Sequence, residues 1–331
     1  MSRTFAFLGT ARSGLGHVRR LSSIARALRE RAPEARIDLI VNAQPDGLTR
    51  ADRGAFARIL ECAREEMATA VARGGYRVAV LDTLRLPETA SLACSCVLVL
   101  RETPARLVDS FRRPGGKPWD RVLVPNPERH WMPAVDRGFA HSVEATGWIA
   151  RRTGTRGSSE PRAGIVVATG GGGTAETREH LYPLLDTVIR GARERASAPF
   201  VVRQVLGPRS AGAALAEADG TFDPGGALHD VFRAADLVVS TAGYNSVLEI
   251  ASTDTPALLA AIPRTLDDQA ERVRRWGPLV GHGLDPDRPG AAAEWLAAQI
   301  ERPQRRAPVH LGPDGAARAA ALLLETTCPA S

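Results

Sequence analysis

The chain has 331 residues, 44% of them hydrophobic and 24% charged, which suits two soluble globular domains of ~150 residues each. Its formal net charge is +6, but the basic residues are scattered, Lys117 is the only lysine and only 5% of residues are aromatic. That excludes a stacking platform for nucleic acid and leaves a weak attraction to phosphorylated ligands. No stretch approaches the ~20 apolar residues needed to span a bilayer, and the run Phe5–Leu8 is too short for a signal peptide, so a cytoplasmic protein without stable membrane association is expected.

In chain order, residues 4–9 (TFAFLG) read as a strand, and Val18, Leu21, Ile24, Ala25 and Leu28 give helical spacing over 17–31. A second strand is expected at 36–42, a helix over 53–73, and further strands at 77–82, 96–101 and 121–125. Pro104 stands where a helix after Glu102 would start, a position that tolerates proline. Cys94 and Cys96 alternate in an apolar run and should share one strand face. With Cys62 and Cys328 they fit neither a zinc-knuckle spacing nor a disulfide framework, and read as small buried residues.

Residues 151–163, rich in Arg, Gly and Ser, are the expected linker between a domain at 1–150 and another at 164–313, with 314–331 a C-terminal helix and tail. The second domain repeats the pattern: strand 164–169, a glycine run, helix 175–195, strands 200–206, 236–240 and 256–261, and a helix at 229–235. Strands apolar on both faces and separated by helices belong to parallel sheets covered on both sides. The fold class is therefore α/β, with two Rossmann-like doubly wound domains and a central cleft at the carboxyl ends of their strands.

Chemistry is concentrated at the turns. ATGGGGTAE, residues 168–176, lets backbone amides converge at a helix N-terminus without side-chain obstruction, which suits a diphosphate, although a flexible turn also explains such a run. STAG, residues 240–243, is a second small-residue turn between a buried strand and a helix. If that helix starts near Tyr244, Asn245 and Glu249 share one face, and the carboxylate lies within reach of a ribose whose phosphates sit at the helix start. The competing reading of Glu249 is a solvated residue on an amphipathic helix. Further on, Thr265 and Asp268 have capping-box spacing, while Gln269 is harder to assign to a cap. In the first domain Gly14-Leu15-Gly16-His17 places a histidine in a first helical turn, where the helix dipole disfavours imidazolium, and Asp82 ends a strand from which it can orient that ring. Asp285-Pro286-Asp287 mimics a metal-binding pair, but the surrounding prolines and glycine mark a turn, and no metal or other cofactor is expected.

Taken together, GLGH at 14–17, RETPAR at 101–106, the glycine run at 170–173 and the segment 240–269 resemble the GT-B glycosyltransferases. The closest resemblance is to the glycosyltransferase family 28 group of the peptidoglycan N-acetylglucosaminyltransferase. The resemblance implies a GT-B fold whose first domain binds the acceptor, with Gly14 and Gly16 at the acceptor turn and His17, Asp82 and Glu102 as catalytic residues. It implies a second domain in which Gly170, Gly171, Gly172, Gly173, Thr241, Gly243, Tyr244 and Asn245 face the donor diphosphate. Gly226, Leu228 and Glu249 would then meet the base and ribose, and Asp268 and Gln269 the donor sugar. Two positions depart from the family: Thr241 or Ala242 stands where an arginine is common, and Thr103-Pro104 follows Glu102 where an amide is usual. The implied reaction is metal-independent inverting transfer from a nucleotide sugar, UDP-sugar favoured, to a small-molecule acceptor in bacterial secondary metabolism, with a homodimer compatible. The alternatives are a nucleotide-sugar hydrolase resembling the enzyme of pseudaminic acid biosynthesis, and a catalytically silent nucleotide-sugar-binding protein. A nucleotide-sugar 2-epimerase is less favoured because its richer set of charged residues is missing from these segments.

Overall fold

The computed structural model describes residues 3–11, 14–150, 164–170, 177–206, 214–264 and 266–326. The linker 151–163, Gly171, Gly172, Gly173, Thr265 and Cys328 lie outside them. By contacts the chain divides into a first unit, Met1–Ala150 with Gly312–Ser331, and a second, Arg151–Leu311.

The first unit runs β1 (Thr4–Gly9), α1 (Gly16–Arg31), β2 (Arg36–Val41), α2 (Arg50–Arg53), β3 (Arg58–Glu61), α3 (Met67–Gly74), β4 (Val78–Asp82), β5 (Ser95–Val99), α4 (Ala105–Val108), β6 (Arg121–Val124) and β7 (Val143–Ala145). All seven strands are parallel, in the order β3-β2-β1-β4-β5-β6-β7. The second unit runs β8 (Ile165–Ala168), a π-helical turn at Thr177–Leu181, α5 (Tyr182–Arg195), β9 (Val202–Val205), β10 (Gly220–Phe222), α6 (Leu228–Ala234), β11 (Leu237–Thr241), α7 (Tyr244–Ala251), β12 (Ala257–Ala260), α8 (Gln269–Val280), β13 (Gly281–Gly283) and α9 (Pro289–Glu301). Its six parallel strands lie in the order β10-β9-β8-β11-β12-β13. A last helix, α10 (Gly315–Thr326), returns to the first unit.

Each sheet winds outward from its first strand in both directions. The order reverses between β1 and β4 in one unit and between β8 and β11 in the other, and such switch points open a crevice at the carboxyl ends of the strands. In the first unit Phe5 and Phe7 of β1 pack with Ile37 and Leu39 of β2 against Leu21, Ile24 and Leu28 of α1. Ala316, Ala319, Ala320, Leu322 and Leu323 of α10 complete that core. A Cβ on Gly315 would lie 2.3 Å from the Gly147 oxygen, so only glycine lets α10 begin this close to the chain after β7.

Several expectations need correction. Residues 53–73 are not one helix: Arg58–Glu61 pairs with β2, and Phe56 turns inward to meet Phe7 edge-on at 6.3 Å. The strands β7, β10 and β13 and the helix α9 were not foreseen. The helix after Glu102 is a single turn with Pro104 at its cap. Cys94 precedes β5 rather than sharing its face with Cys96, although the Cys96 thiol lies 3.5 Å from the Cys94 carbonyl. Asp285-Pro286-Asp287 is a turn, closed by a bond from the Asp287 amide to the Asp285 side chain at 3.0 Å.

Candidate active site

At the switch point of the first unit, β1 hands over through Gly14 to α1, and His17 is the second residue of that helix. Gly14 has φ 150°, a conformation other residues rarely adopt. On the neighbouring strand end, Asp82 sits with its Oδ1 3.0 Å from His17 Nδ1. The Asp82 carboxylate is fully enclosed, whereas the His17 side chain keeps 23% exposure.

Sequence reasoning missed the third member. Arg20, one helical turn beyond His17 and 2% exposed, donates Nε to Asp82 Oδ2 at 2.8 Å and Nη2 to Oδ1. The Arg20 charge and the His17 bond hold the Asp82 carboxyl down at about 2, against a burial that pushes it up. An ionised carboxylate only accepts, so His17 Nδ1 carries the proton, and in the neutral form of the ring Nε2 is left as the acceptor. Thr83, at φ 44°, is the single non-glycine residue with positive φ among the described residues, and its hydroxyl lies 3.2 Å from Asp82 Oδ1. Backbone strain of this kind is tolerated where the surroundings over-determine it.

Glu102 lies further along the same edge, past β5. Its Oε2 is 3.5 Å from Nε2 of His130, another residue the sequence did not single out. The His130 ring stands edge-to-face with Trp148, centroids 4.6 Å apart. Asn126 places this loop, donating its side-chain amide to the carbonyls of Pro127 at 3.0 Å and Trp131 at 2.7 Å.

In the second unit the two small-residue turns meet. Ala168 pairs with Ser240 in the β8–β11 register, and the Ser240 hydroxyl donates to the Ala168 carbonyl at 3.0 Å. Gly170 has φ 76°, and a Cβ there would sit 3.3 Å from Thr241 Oγ1. Behind the start of the glycine run, Tyr182 takes a bond from Gln204 Nε2 at 2.9 Å and lies 3.4 Å from Thr169. Gly243 caps α7 with φ −64° and ψ 146°, a conformation open to any residue. Among the described residues, a Cβ there would meet only Ser246 Oγ, at 3.8 Å. Neither strain nor crowding by a described residue accounts for glycine at 243.

Tyr244 and Asn245 form the first turn of α7, and Glu249 lies on it buried at 3% exposure, which rules out the solvated reading. Gly225 and Gly226, both with positive φ, lead into α6, whose first residue Leu228 is buried. At the head of α8 the cap is Asp268 itself, which accepts from the Glu271 amide at 2.9 Å. Gln269 is buried; its Oε1 accepts from the Ile262 amide at 3.2 Å and its Nε2 donates to Asp267 Oδ2 at 3.2 Å. Both side chains offered for the donor sugar are thus engaged within their own loop. Asp267 and Arg272, joined at 2.8 Å, went unremarked in the sequence.

Neither a family model nor a curated protein sequence matches the chain. Solved structures are similar over nearly its full length. The glycotransferase of kitacinnamycin aligns with TM-score 0.62 at 17% identity, covering 99% of this chain and 100% of that one. A putative UDP-N-acetylglucosamine 2-epimerase from Listeria monocytogenes gives TM-score 0.61 at 12% identity, covering 98% and 95%. MurG from Acinetobacter baumannii gives 0.54 at 13%, covering 98% and 99%. With two parallel sheets of seven and six strands, the chain has the two-domain GT-B fold. Transferases and an epimerase share that fold, so the reaction must be argued from the site. Among the described residues no helix is long and apolar enough to cross a membrane.

Proposed function

We propose that the protein transfers a glycosyl group from a nucleoside diphosphate sugar, UDP-sugar favoured, to a small-molecule acceptor, as a soluble enzyme of bacterial secondary metabolism. The observation that carries this reading is Gly243, a helix-capping glycine with room for a side chain, set beside Gly170 at the switch point of its sheet. Close approach of a ligand explains a glycine that no described residue crowds.

In the proposed reaction the amides around Gly170 and at the head of α7 hold the diphosphate, and Glu249 and the Gly226–Leu228 turn meet the ribose and base. Nε2 of His17, oriented by Asp82, takes the acceptor hydroxyl proton as the oxygen attacks the anomeric carbon. The bond from that carbon to the diphosphate breaks on the opposite face with inversion, and its electron pair leaves with the nucleotide, where the amides receive the charge. The step routes this charge to backbone dipoles and calls on no metal ion. Glu102, paired with His130, belongs to the acceptor side.

Calorimetric titration with UDP, TDP and GDP, repeated on Glu249→Ala, tests the donor half. One diphosphate should bind in the micromolar range, and the variant should lose about 1 kcal/mol or more, as for a hydrogen bond to a charged group. If none binds, the donor assignment fails. Products from the matching nucleotide sugar then test the reaction: a glycosylated acceptor supports transfer, free sugar alone indicates hydrolysis, and an epimerised donor indicates the chemistry of the Listeria neighbour.

A further inference from the structure

We infer that Arg272, held by Asp267, is a positioning residue that aims the Gly243 amide at the donor diphosphate; this rests on the donor site proposed above. Arg272 lies in the first turn of α8, where a cation opposes the helix dipole, and it is 4% exposed. A buried guanidinium at such a place persists only with compensation. Its Nη2 donates to Asp267 Oδ1 at 2.8 Å, and its Nη1 crosses to the carbonyl of Ala242 at 2.7 Å. Asp267 is tied in turn to Gln269, whose Oε1 holds the Ile262 amide beyond β12. The Ala242 amide is bound to the Ala260 carbonyl at 2.8 Å, so the turn is pinned on both sides of that residue.

The direction of the pinned carbonyl decides the rest. No peptide bond among the described residues is cis, and in a trans peptide the C=O of one residue and the N–H of the next point opposite ways. Drawing the Ala242 oxygen toward Arg272 therefore turns the Gly243 N–H away from α8. Gly243 itself keeps partial exposure, and among the described residues a Cβ on it would meet only Ser246 Oγ, at 3.8 Å. The family that this chain resembles often has an arginine within the turn itself. Here a cation reaches the turn from the next helix and acts on the backbone, its charge spent on Asp267.

Calorimetry with UDP, TDP and GDP and with the matching nucleosides, on the full chain and its Arg272→Met and Arg272→Lys variants, tests this. If the unaltered protein binds none of the diphosphates, the donor-site reading falls and this inference with it. If it binds one, Arg272→Met with an unchanged thermal midpoint should lose tenfold or more in diphosphate affinity and keep its nucleoside affinity. Arg272→Lys, which keeps the charge but not the two-pronged reach, should recover part of the loss. An unchanged diphosphate affinity, or parallel weakening of both ligands, overturns the inference, since general loosening of the site spares neither. Should Arg272→Met fail to fold, the Gly243 amide resonance of the unaltered protein decides: it should shift with the diphosphate and stay still with the nucleoside. A resonance unmoved at diphosphate saturation overturns the inference.

Discussion

Arg20 lies along the carboxylate of Asp82, Nε 2.8 Å from Oδ2, and neither side chain meets solvent to any extent. The pair is a stability element as much as a part of the site. The Asp82 carboxyl is held at about 2, below its value in the unfolded chain, so its contribution is full above pH ~4 and disappears as pH falls through 2. That contribution is ~2 kcal/mol. Urea midpoints measured from pH 6 down to pH 2 should fall across this window. In the Arg20→Met/Asp82→Leu double variant the fall should be shallower; an identical slope would mean that other carboxylates carry it.

Neutralising Asp82 with Arg20 leaves the aspartate mainly an orienting role toward His17. His17→Ala should therefore reduce kcat by about 10²–10⁴, the range for losing a general base, while KM for the donor stays within about threefold. Steady-state kinetics with donor varied at saturating acceptor would show this. A variant with unchanged turnover would take the base's role away from His17.

Gly243→Ala separates ligand binding from folding. The backbone there accepts any residue and the nearest described atom to an added methyl is 3.8 Å away, so the stability should change by no more than the ~1 kcal/mol of an altered helix cap. Affinity for the bound nucleoside diphosphate should drop tenfold or more. Equal affinity in calorimetry would place the diphosphate elsewhere.

At Gly315 the opposite holds. An added Cβ would lie 2.3 Å from the Gly147 oxygen and 2.7 Å from the Trp148 carbonyl carbon, both backbone atoms with little freedom. Gly315→Ala should cost about 1–3 kcal/mol in denaturant unfolding, as overpacking does, without altering nucleotide binding to the second unit. A neutral substitution would mean that α10 shifts freely along α1.

The strands visible in the sequence are those paired on both sides. The missed strands β3, β7, β10 and β13 are the four sheet edges, three or four residues long and built from sequences such as VEA, GTF and GHG. An edge needs no continuous apolar run, and short, charged or glycine-containing edges discourage further pairing, so only a partner strand reveals them. The site divides similarly. His17 and Asp82 were legible together because each ends an element at one sheet edge, and Gly170 and Gly243 because both follow buried strands. Arg20 offered only its spacing from His17, on a helix with several other arginines. Arg272 and His130 offered no such signal, because their partners Ala242 and Glu102 are about 30 residues away in the chain and meet them only through the fold.

The return of α10 also bears on synthesis at the ribosome. The second unit is one uninterrupted stretch, whereas the first needs residues beyond 311 to cover the apolar stripe of α1. During vectorial synthesis at ~5–20 residues per second, the unit made first is thus the one finished last. Its amino-terminal part must wait with α1 uncovered by α10 while about 160 further residues emerge, an interval of roughly ten to thirty seconds in which a chaperone has something to hold.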